Sequence, residues 1–229
     1  MQEKHDIGNL FNRIADTYDT LNHLLSFNMD RYWRKKAVKR LQPCNTLLDV
    51  ATGTADLSIE ILRQNKARHI IGTDISHAMM QKGIQKINRR KYADRISLLY
   101  ADASQLSFED GSFDAVTCAY GVRNFSDCQK GLKEMYRVLK DGGQLLILEF
   151  SYPDNACIRK LYNCYFTRIL PYIGRKISKD KTAYSYFCQS VKEFIWGQDM
   201  TQTLEHIGFK SAKYHPLTFG ITTIYTATK

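Results

Sequence analysis

The chain has 229 residues, of which 44% are hydrophobic and 24% charged, and its formal net charge is +10. This composition is typical of one large α/β domain or two small ones, and it excludes collagen, a long coiled coil and a globally disordered chain. No apolar run approaches the roughly 18 residues of a membrane-spanning helix, and no apolar segment follows the amino terminus. We therefore expect a cytoplasmic protein.

The six cysteines and six histidines are scattered along the chain. No two cysteines form a C-x-x-C pair, and no group of residues has the spacing of metal ligands. This pattern predicts reduced thiols and no metal site.

The positive charge is concentrated in the flanks of the chain. The net charge is +3 over residues 1–40, +1 over 41–150 and +6 over 151–229, and basic residues are densest at 31–40 and 159–181. Such flanks suit an anionic partner, either a membrane surface or a nucleic acid. A merely solvated basic face is the alternative.

From residue 46, short apolar runs alternate with helical periodicities. Five strands are predicted, at 46–50, 69–74, 96–100, 113–119 and 144–149. Helical spacing connects them at 57–62, 79–87 and 132–139, and the last of these helices is predicted to end at 141–143. Continuous apolar strands that alternate with helices predict a parallel sheet covered on both faces.

The pattern changes after residue 149. Residues 152–198 are rich in aromatic residues and predict a helical insertion, and a helix at 201–207 is stopped by Gly208. Strands at 209–214 and 218–228 follow, and they must pair antiparallel because only a short turn separates them.

The predicted fold is α/β, a doubly wound sheet of about seven strands, mostly parallel with an antiparallel carboxyl-terminal strand. One domain accounts for the chain. It consists of a helical amino-terminal extension (1–41), a core (42–151), the aromatic-rich insertion (152–198) and a final helix with its strand pair (199–229). Ligands of such sheets bind beyond the carboxyl ends of the strands, where both additions could cover them.

The turn after the first strand, residues 49–56, points to a cofactor. It includes Asp49, Gly53 and Thr54, and its small residues let the backbone approach a ligand at a helix amino terminus. A single glycine does not match G-x-G-x-x-G, and G-x-x-x-x-G-K-[ST] is absent, so neither a dinucleotide nor a nucleoside triphosphate is expected.

Two further acids follow the next strands. Asp74 ends the second strand, 21 residues after Gly53, where its carboxylate could accept hydrogen bonds from both ribose hydroxyls. Asp102 precedes Ala103 at the end of the third strand and could accept from an adenine amino group. Each acid alone could equally be a helix cap or turn residue. Together they predict S-adenosylmethionine, which has a ribose, an adenine and a carboxylate but no phosphate.

Several longer motifs carry a family resemblance. They are Tyr18-Asp-Thr-Leu-Asn-His-Leu-Leu-Ser26 with Trp33, Gly121-Val-Arg-Asn124, the segment 137–151 around Leu148-Glu-Phe-Ser151, and the segments 170–174 and 184–187. Over about residues 8–228 the chain resembles the ubiquinone/menaquinone biosynthesis C-methyltransferases, a family of Rossmann-like S-adenosylmethionine-dependent methyltransferases. It departs from the family at five positions, which are Asp30 for histidine, Thr52 and Ala55 for glycine, Ala119 for serine and Asp141 for proline.

The resemblance implies roles for the residues at the sheet edge. Asp49, Gly53 and Thr54 belong to the cofactor loop, and the last two would contact the methionine end of S-adenosylmethionine. Asp74 would hold the ribose, and Asp102 and Ala103 would flank the adenine.

The resemblance also implies a prenylated demethylquinol that is methylated on a ring carbon. Arg123 would stabilise its phenolate or hold a water that removes the proton, because a guanidinium is not itself a base near neutrality. Asn124 could orient a ring oxygen. A structural ion pair is the alternative for Arg123, and Asp19, His23 and Tyr184 are the candidates for a general base.

The remaining features fit this acceptor. The aromatic residues of 162–196 would form either an apolar wall for the prenyl tail or plain core. The basic flanks predict weak, peripheral binding to anionic lipid on the inner face of the cell membrane, with no nucleic acid and no metal as partner.

Demethylmenaquinol in menaquinone biosynthesis is the favoured acceptor, and three alternatives remain open at this stage. The first is a benzoquinol in ubiquinone biosynthesis. An RNA methyltransferase would explain the positive charge, but the chain lacks the [ND]-P-P-[FYW] motif after strand four. A degenerate domain that only holds the cofactor is the third alternative.

Overall fold

A computed structural model describes residues 7–169 and 181–229. Its helices are α1 (Ile7–Leu25), α2 (Met29–Val38), α3 (Asp56–Arg63), α4 (His77–Arg89), α5 (Cys128–Val138), α6 (Ala156–Cys164), α7 (Lys181–Glu193) and α8 (Gln198–Ile207). Its strands are β1 (Cys44–Val50), β2 (Ala67–Asp74), β3 (Ile96–Tyr100), β4 (Phe113–Ala119), β5 (Leu139–Phe150), β6 (Lys210–Leu217) and β7 (Thr222–Thr228).

The strands form one seven-stranded sheet in the order β3-β2-β1-β4-β5-β7-β6. Strands β1 to β5 are parallel to one another, whereas β7 runs antiparallel to both β5 and β6. The order reverses beside β1, which places a crevice at the carboxyl ends of β1 and β4. The predicted fold class is confirmed.

Helices cover both faces of this sheet. Leu48 and Val116 point into one buried cluster with α5 and α8, while Leu47 and Ala115 point into another with α2 and α3. Because successive side chains of a strand alternate between faces, continuous apolar strands are needed when both faces are covered. The unbroken apolar runs in the sequence have this cause.

Several predicted boundaries differ from those of the structure, among them the starts of β5 and β7. The fifth strand begins at Leu139, not at residue 144, and α5 ends at Val138. Leu139 is fully buried in register with Phe113, and the glycines at 142–143 let the strand bulge before it pairs again at Gln144. The second strand of the final pair begins at 222 rather than 218, because a short 3-10 turn, Thr218–Gly220, lies between β6 and β7.

Helices α1 and α2 form the predicted amino-terminal extension and lie over the carboxyl edge of the sheet. Lys86 of α4 forms ion pairs with Asp19 of α1 and Asp56 of α3, and its nitrogen lies 2.8 Å from the Asp19 carboxylate. These ion pairs therefore pin the extension to the core, where it covers the sheet edge.

Within the described residues no helix is both long and apolar enough to cross a bilayer.

Candidate active site

Two cavities adjoin at the carboxyl edge of the sheet. The first, called here the polar cavity, has a volume of about 490 Å³ and is lined by residues that follow β1 to β4, among them Ala51, Asp74, Asp102 and Gly121. The second, called here the apolar cavity, has a volume of about 550 Å³ and lies between α1, α2, α6 and α7. Together they supply room for two ligands at the place where doubly wound sheets bind them.

The carboxylate of Asp74 is held in the wall of the polar cavity. Its Oδ2 accepts from the amide of Gly53 at 2.8 Å, and its Oδ1 accepts from the amide of Ser76 at 2.8 Å. Burial raises its pKa to about 6, although these amides oppose the shift. A half-buried carboxylate in this position favours ligands that donate hydrogen bonds to it.

The cofactor loop presents its backbone to the same cavity. Gly53 has a φ of +56°, and a Cβ added there would meet nothing within 4 Å. Ala55 adopts the left-handed conformation as well, with a φ of 63°, where the family commonly has glycine. The glycine at position 53 keeps the ligand side of the loop open, and the alanine at 55 is accommodated by the same backbone turn.

The end of β3 supplies a flat platform. The ring of His77 stacks on that of Tyr100, with centroids 4.6 Å apart, and both residues line the polar cavity beside Asp102 and Ala103. Asp102 Oδ1 accepts from the amide and hydroxyl of Ser104, at 2.7 and 2.8 Å. Sequence reasoning did not single out His77 or Tyr100, although an aromatic residue just before Asp102 could have suggested a base-stacking surface.

Asp49 and Thr54 do not line the polar cavity. Asp49 is buried and accepts from the hydroxyls of Thr52, Ser58 and Thr117 at 2.6–2.8 Å. The hydroxyl of Thr54 donates to Asp19 at 2.7 Å. These hydrogen bonds brace the loop that carries Gly53, and the contact of Thr54 with the methionine end of the cofactor stays a prediction.

Arg123 is clamped in the wall of the apolar cavity. Its Nη1 donates to Glu149 Oε1 at 2.8 Å and to the carbonyl of Tyr120, and its guanidinium lies 5.5 Å and 5.3 Å from the ring centroids of Phe150 and Phe187. The Nε–H is buried and has no hydrogen-bond partner among the described residues. A buried donor of this kind needs an acceptor, and an oxygen of a bound ligand would supply one.

Glu149, which sequence reasoning missed, holds this arginine. Its side chain is fully buried, and burial raises its pKa while the charge of Arg123 opposes the shift. A carboxylate inside an otherwise apolar strand was the signal that could have revealed it, because buried acids are retained only with a partner. The structural ion pair, which the sequence left as the alternative for Arg123, is thus present in the geometry.

Asn124 follows Arg123 but lines the polar cavity instead. Its Oδ1 accepts from the hydroxyl of Tyr186 at 3.0 Å, and its Nδ2 donates to the carbonyl of Tyr120 at 3.2 Å. Adjacent residues of one 3-10 turn, Val122–Asn124, therefore face the two cavities. Phe11, Tyr18 and Tyr120 line both cavities, so the two cavities adjoin at these side chains.

The insertion contributes part of the apolar wall. Tyr162, Tyr165, Tyr186 and Phe187 line the apolar cavity, whereas Phe194 packs into the core beneath the sheet. The predicted segment 170–174 and the side chain of Tyr184 lie outside the described residues. The aromatic residues of the insertion are thus divided between a ligand wall and plain core.

The two other candidate bases are engaged elsewhere. Asp19 bonds to Thr54 and Lys86, and His23 Nδ1 lies 2.7 Å from Asp30 Oδ2. Neither residue lines the polar or the apolar cavity. Both residues therefore make structural contacts, and a role as general base stays a prediction.

His23, Asp30 and Asp56 resemble a metal cluster, because their ligand atoms lie within 4.8 Å of one another. The guanidinium of Arg34 lies 2.6 Å from Asp30 and 3.6 Å from Asp56. Burial by itself would lower the pKa of Arg34, but Asp56 and Asp30 raise it. The arginine is the cation of this cluster, and Asp30, which replaces the family's usual histidine, is one of its anions.

Comparison with known proteins assigns the family. The family model described as the ubiE/COQ5 methyltransferase family matches residues 1–229. The chain belongs to this family. The resemblance predicted from the motifs is confirmed, and the protein is an S-adenosylmethionine-dependent methyltransferase.

Similar proteins align with this chain over nearly its whole length. A demethylmenaquinone methyltransferase of Bacteroides fragilis is 43% identical over 100% of this chain and 94% of its own. The ubiquinone/menaquinone biosynthesis C-methyltransferase UbiE of Geotalea daltonii is 45% identical over 97% of this chain and 96% of its own. A solved S-adenosylmethionine-dependent methyltransferase of Thermotoga maritima has a TM-score of 0.69 at 20% identity, covers 97% of this chain and is itself fully covered, and it shares the fold.

The pH dependence of cofactor binding tests the role of Asp74. Ribose hydroxyls bind the ionised carboxylate best, so protonation below its pKa of about 6 competes with the cofactor. We expect the Kd of S-adenosylmethionine, measured by calorimetry, to be flat from pH 7 to 8 and to rise by up to about tenfold per pH unit below 6. The Asp74→Asn variant should show a flat profile, and a flat profile in the unaltered methyltransferase would contradict the assignment.

Proposed function

We propose that this methyltransferase transfers the methyl group of S-adenosylmethionine to a ring carbon of a prenylated demethylquinol, with demethylmenaquinol as its acceptor. The observation that carries the proposal is the buried Nε–H of Arg123, unpaired among the described residues, in the wall of an apolar cavity that adjoins the polar one. A quinol has this combination of a ring oxygen and an apolar tail. The names of the Bacteroides and Geotalea relatives support the same substrate class.

The polar cavity suits S-adenosylmethionine. Asp74 offers a fixed carboxylate to the ribose, and Asp102 and Ala103 lie beside the Tyr100 platform where an adenine would stack. The backbone at Gly53 stays open towards the methionine end. The cofactor supplies a methyl group on a sulfonium, and the chain needs only to hold it in line with the acceptor.

The apolar cavity would activate the quinol. A phenol has a pKa of about 10, so little phenolate forms near neutrality without help. The Nε–H of Arg123 would donate to the ring oxygen and stabilise the phenolate, which pushes electron density onto the adjacent ring carbon. That carbon would form the new C–C bond as the methyl–sulfur bond breaks and adenosylhomocysteine leaves, and the ring would then give its proton to water and regain aromaticity.

The surrounding side chains would assist by alignment. Phe150 and Phe187 enclose the guanidinium, which excludes water and strengthens its interaction with an anion. Asn124 would orient a ring oxygen from the adjoining cavity wall, where Tyr186 already fixes its amide. Much of the rate would come from this positioning.

The flanks of the chain suit a membrane-borne acceptor. The exposed face of α2 carries Arg31, Lys35 and Lys36, and α6 carries Arg159 and Lys160. Basic groups of this kind are attracted to anionic lipid within a Debye length. We include weak, peripheral membrane binding on the inner face of the cell membrane in the proposal.

An assay with purified protein tests the reaction. Demethylated naphthoquinol and benzoquinol with short prenyl tails, and RNA, would each be incubated with methyl-labelled S-adenosylmethionine. We expect label on the naphthoquinol ring together with adenosylhomocysteine. Faster methylation of the benzoquinol would replace the acceptor, label on RNA would overturn the quinol assignment, and cofactor binding without product would indicate a degenerate domain.

The quinone profile of a host that lacks the protein is the second test. The host should accumulate the demethylated naphthoquinone and regain the methylated form when the gene is restored. An unchanged profile would contradict the proposed place in menaquinone biosynthesis.

A further inference from the structure

The mouth of the apolar cavity carries three exposed apolar side chains. Phe27, Leu161 and Phe219 are 76%, 72% and 76% exposed, and all three also line the cavity. They come from the turn between α1 and α2, from α6 and from the turn between β6 and β7. We call these three residues the apolar rim. Scattered apolar residues on a surface are ordinary, but a set gathered around one opening is not.

Two rim residues sit in a backbone conformation that bulky side chains rarely adopt. The φ angles of Phe27 and Phe219 are 51° and 58°. Each phenylalanine thus has a strained backbone at a turn, and yet its side chain remains largely exposed to solvent. Neither strain nor exposure improves the fold, so a role in contact with something outside the chain is the better explanation.

Direct contacts tie the three segments of the rim together. The indole of Trp33 on α2 donates to the hydroxyl of Thr218, next to Phe219, at 2.8 Å. The ring of Phe27 lies 6.3 Å from that of Tyr165, one turn beyond Leu161. The rim is therefore a defined surface and not three unrelated loop tips.

The surroundings of the rim are basic. Helix α6 contains Arg159 and Lys160 and no acidic residue, and both basic side chains are exposed next to Leu161. The one acid of α2, Asp30, is buried in ion pairs, so the exposed face of that helix is basic. An apolar patch edged by cations complements anionic lipid headgroups over an acyl layer.

We infer that the apolar rim inserts into an anionic bilayer surface and places the mouth of the apolar cavity against the lipid. This inference rests on the proposed function, since a prenylated quinol dissolves in that layer. Docking in this orientation would let the quinol ring enter the cavity without the tail crossing water.

Vesicle binding of the full chain tests the rim. Phe27→Asn with Phe219→Asn removes both rings, and asparagine tolerates the left-handed conformation that these positions need. On phosphatidylglycerol/phosphatidylcholine vesicles we expect partitioning to fall about tenfold to a hundredfold. The matched control, Ile84→Gln with Leu99→Thr, removes two other exposed apolar side chains and should bind as the unaltered protein does.

The charge variants separate docking from catalysis. Arg159→Gln with Lys160→Gln changes residues that do not line the apolar cavity. It should weaken vesicle binding and methylation of a long-chain quinol in vesicles, and leave methylation of a short-chain quinol in solution unchanged. Failure of the unaltered protein to methylate the short-chain quinol would refute the proposed function and not the docking.

Three results would overturn the inference that the apolar rim inserts into a bilayer. They are binding by the phenylalanine variant equal to that of the unaltered protein, binding that ignores anionic lipid content and salt, and self-association through this face in place of vesicle binding. Thermal melting of each variant checks that the fold is retained.

Discussion

Arg123→Met should lower the methyl-transfer rate about 10²- to 10³-fold and leave the Kd of S-adenosylmethionine unchanged. The variant loses the buried Nε–H that we assign to the quinol oxygen, while the polar cavity keeps its walls. Arg123→Lys should also be impaired, because an ammonium cannot reproduce the planar donor set that Glu149 and the carbonyl of Tyr120 orient. Single-turnover rates, with calorimetry for the cofactor, measure both quantities.

The same substitution has a cost in stability that must be separated from the loss of activity. It leaves Glu149 buried without its partner, which costs about 3–5 kcal/mol in comparable pairs. The pKa of Glu149 is already raised by burial, and loss of the arginine raises it further. A raised carboxyl pKa stabilises the fold below the unfolded pKa of about 4.3, and this stability is lost as the pH rises through the folded value.

Arg123→Met should therefore melt at a progressively lower temperature than the unaltered protein as the pH rises from 5 to 8. Adding Glu149→Gln removes the titrating group and should abolish this pH dependence while the enzyme stays inactive. Arg63→Met, which breaks an exposed ion pair with Glu60, is the control and should leave both activity and melting nearly unchanged. A wild-type rate in any folded Arg123 variant would end the catalytic assignment.

Asp74→Asn should weaken S-adenosylmethionine binding about 10- to 100-fold, the range for hydrogen bonds to a charged group. The carboxylate now accepts from the amides of Gly53 and Ser76 and faces the cavity where the ribose would lie. The side-chain amide of asparagine accepts hydrogen bonds through one oxygen only. The variant therefore loses one of the two hydrogen bonds that anchor the loop, and the ribose loses an acceptor as well. Asp74→Ala should have a larger effect for the same reason.

The acceptor should be affected less by these Asp74 variants, because the residue does not line the apolar cavity. We expect the KM of a short-chain quinol, at saturating cofactor, to change by less than about threefold. Asp102→Asn is the matched control, since its carboxylate is exposed and its loss should cost only a few-fold in affinity. An equal loss for cofactor and quinol would contradict the ribose role.

Local patterns allowed much of the site to be predicted. Asp74 and Asp102 follow apolar runs, and parallel strands end at a common edge, so their juxtaposition follows from the sequence. Gly53 was found in the same way, as the glycine of a turn between a strand and a helix. Arg123 and Asn124 were found through the family motif, and no local pattern would have placed them in opposite cavity walls.

The hydrogen-bond partners of other predicted site residues could not be predicted, because these partners come from distant segments. Asp49 seemed available for a ligand, but Thr117, a residue 68 positions away, donates to it at 2.8 Å. Thr54 was expected at the methionine end, but Asp19 of α1 takes its hydroxyl. Which polar groups are satisfied is a property of the packed molecule, because each bond needs two groups within about 3 Å.

The sequence by itself determined the class of the fold and the edge at which ligands bind, because the period of its apolar residues and the order of its strands are local and topological properties. Only the tertiary structure showed that Glu149 clamps Arg123, that Tyr120 lines both cavities, and that Phe27 and Phe219 line the same cavity. These facts depend on which side chains from distant parts of the chain come into contact. That choice is made by packing and burial, which no single segment encodes.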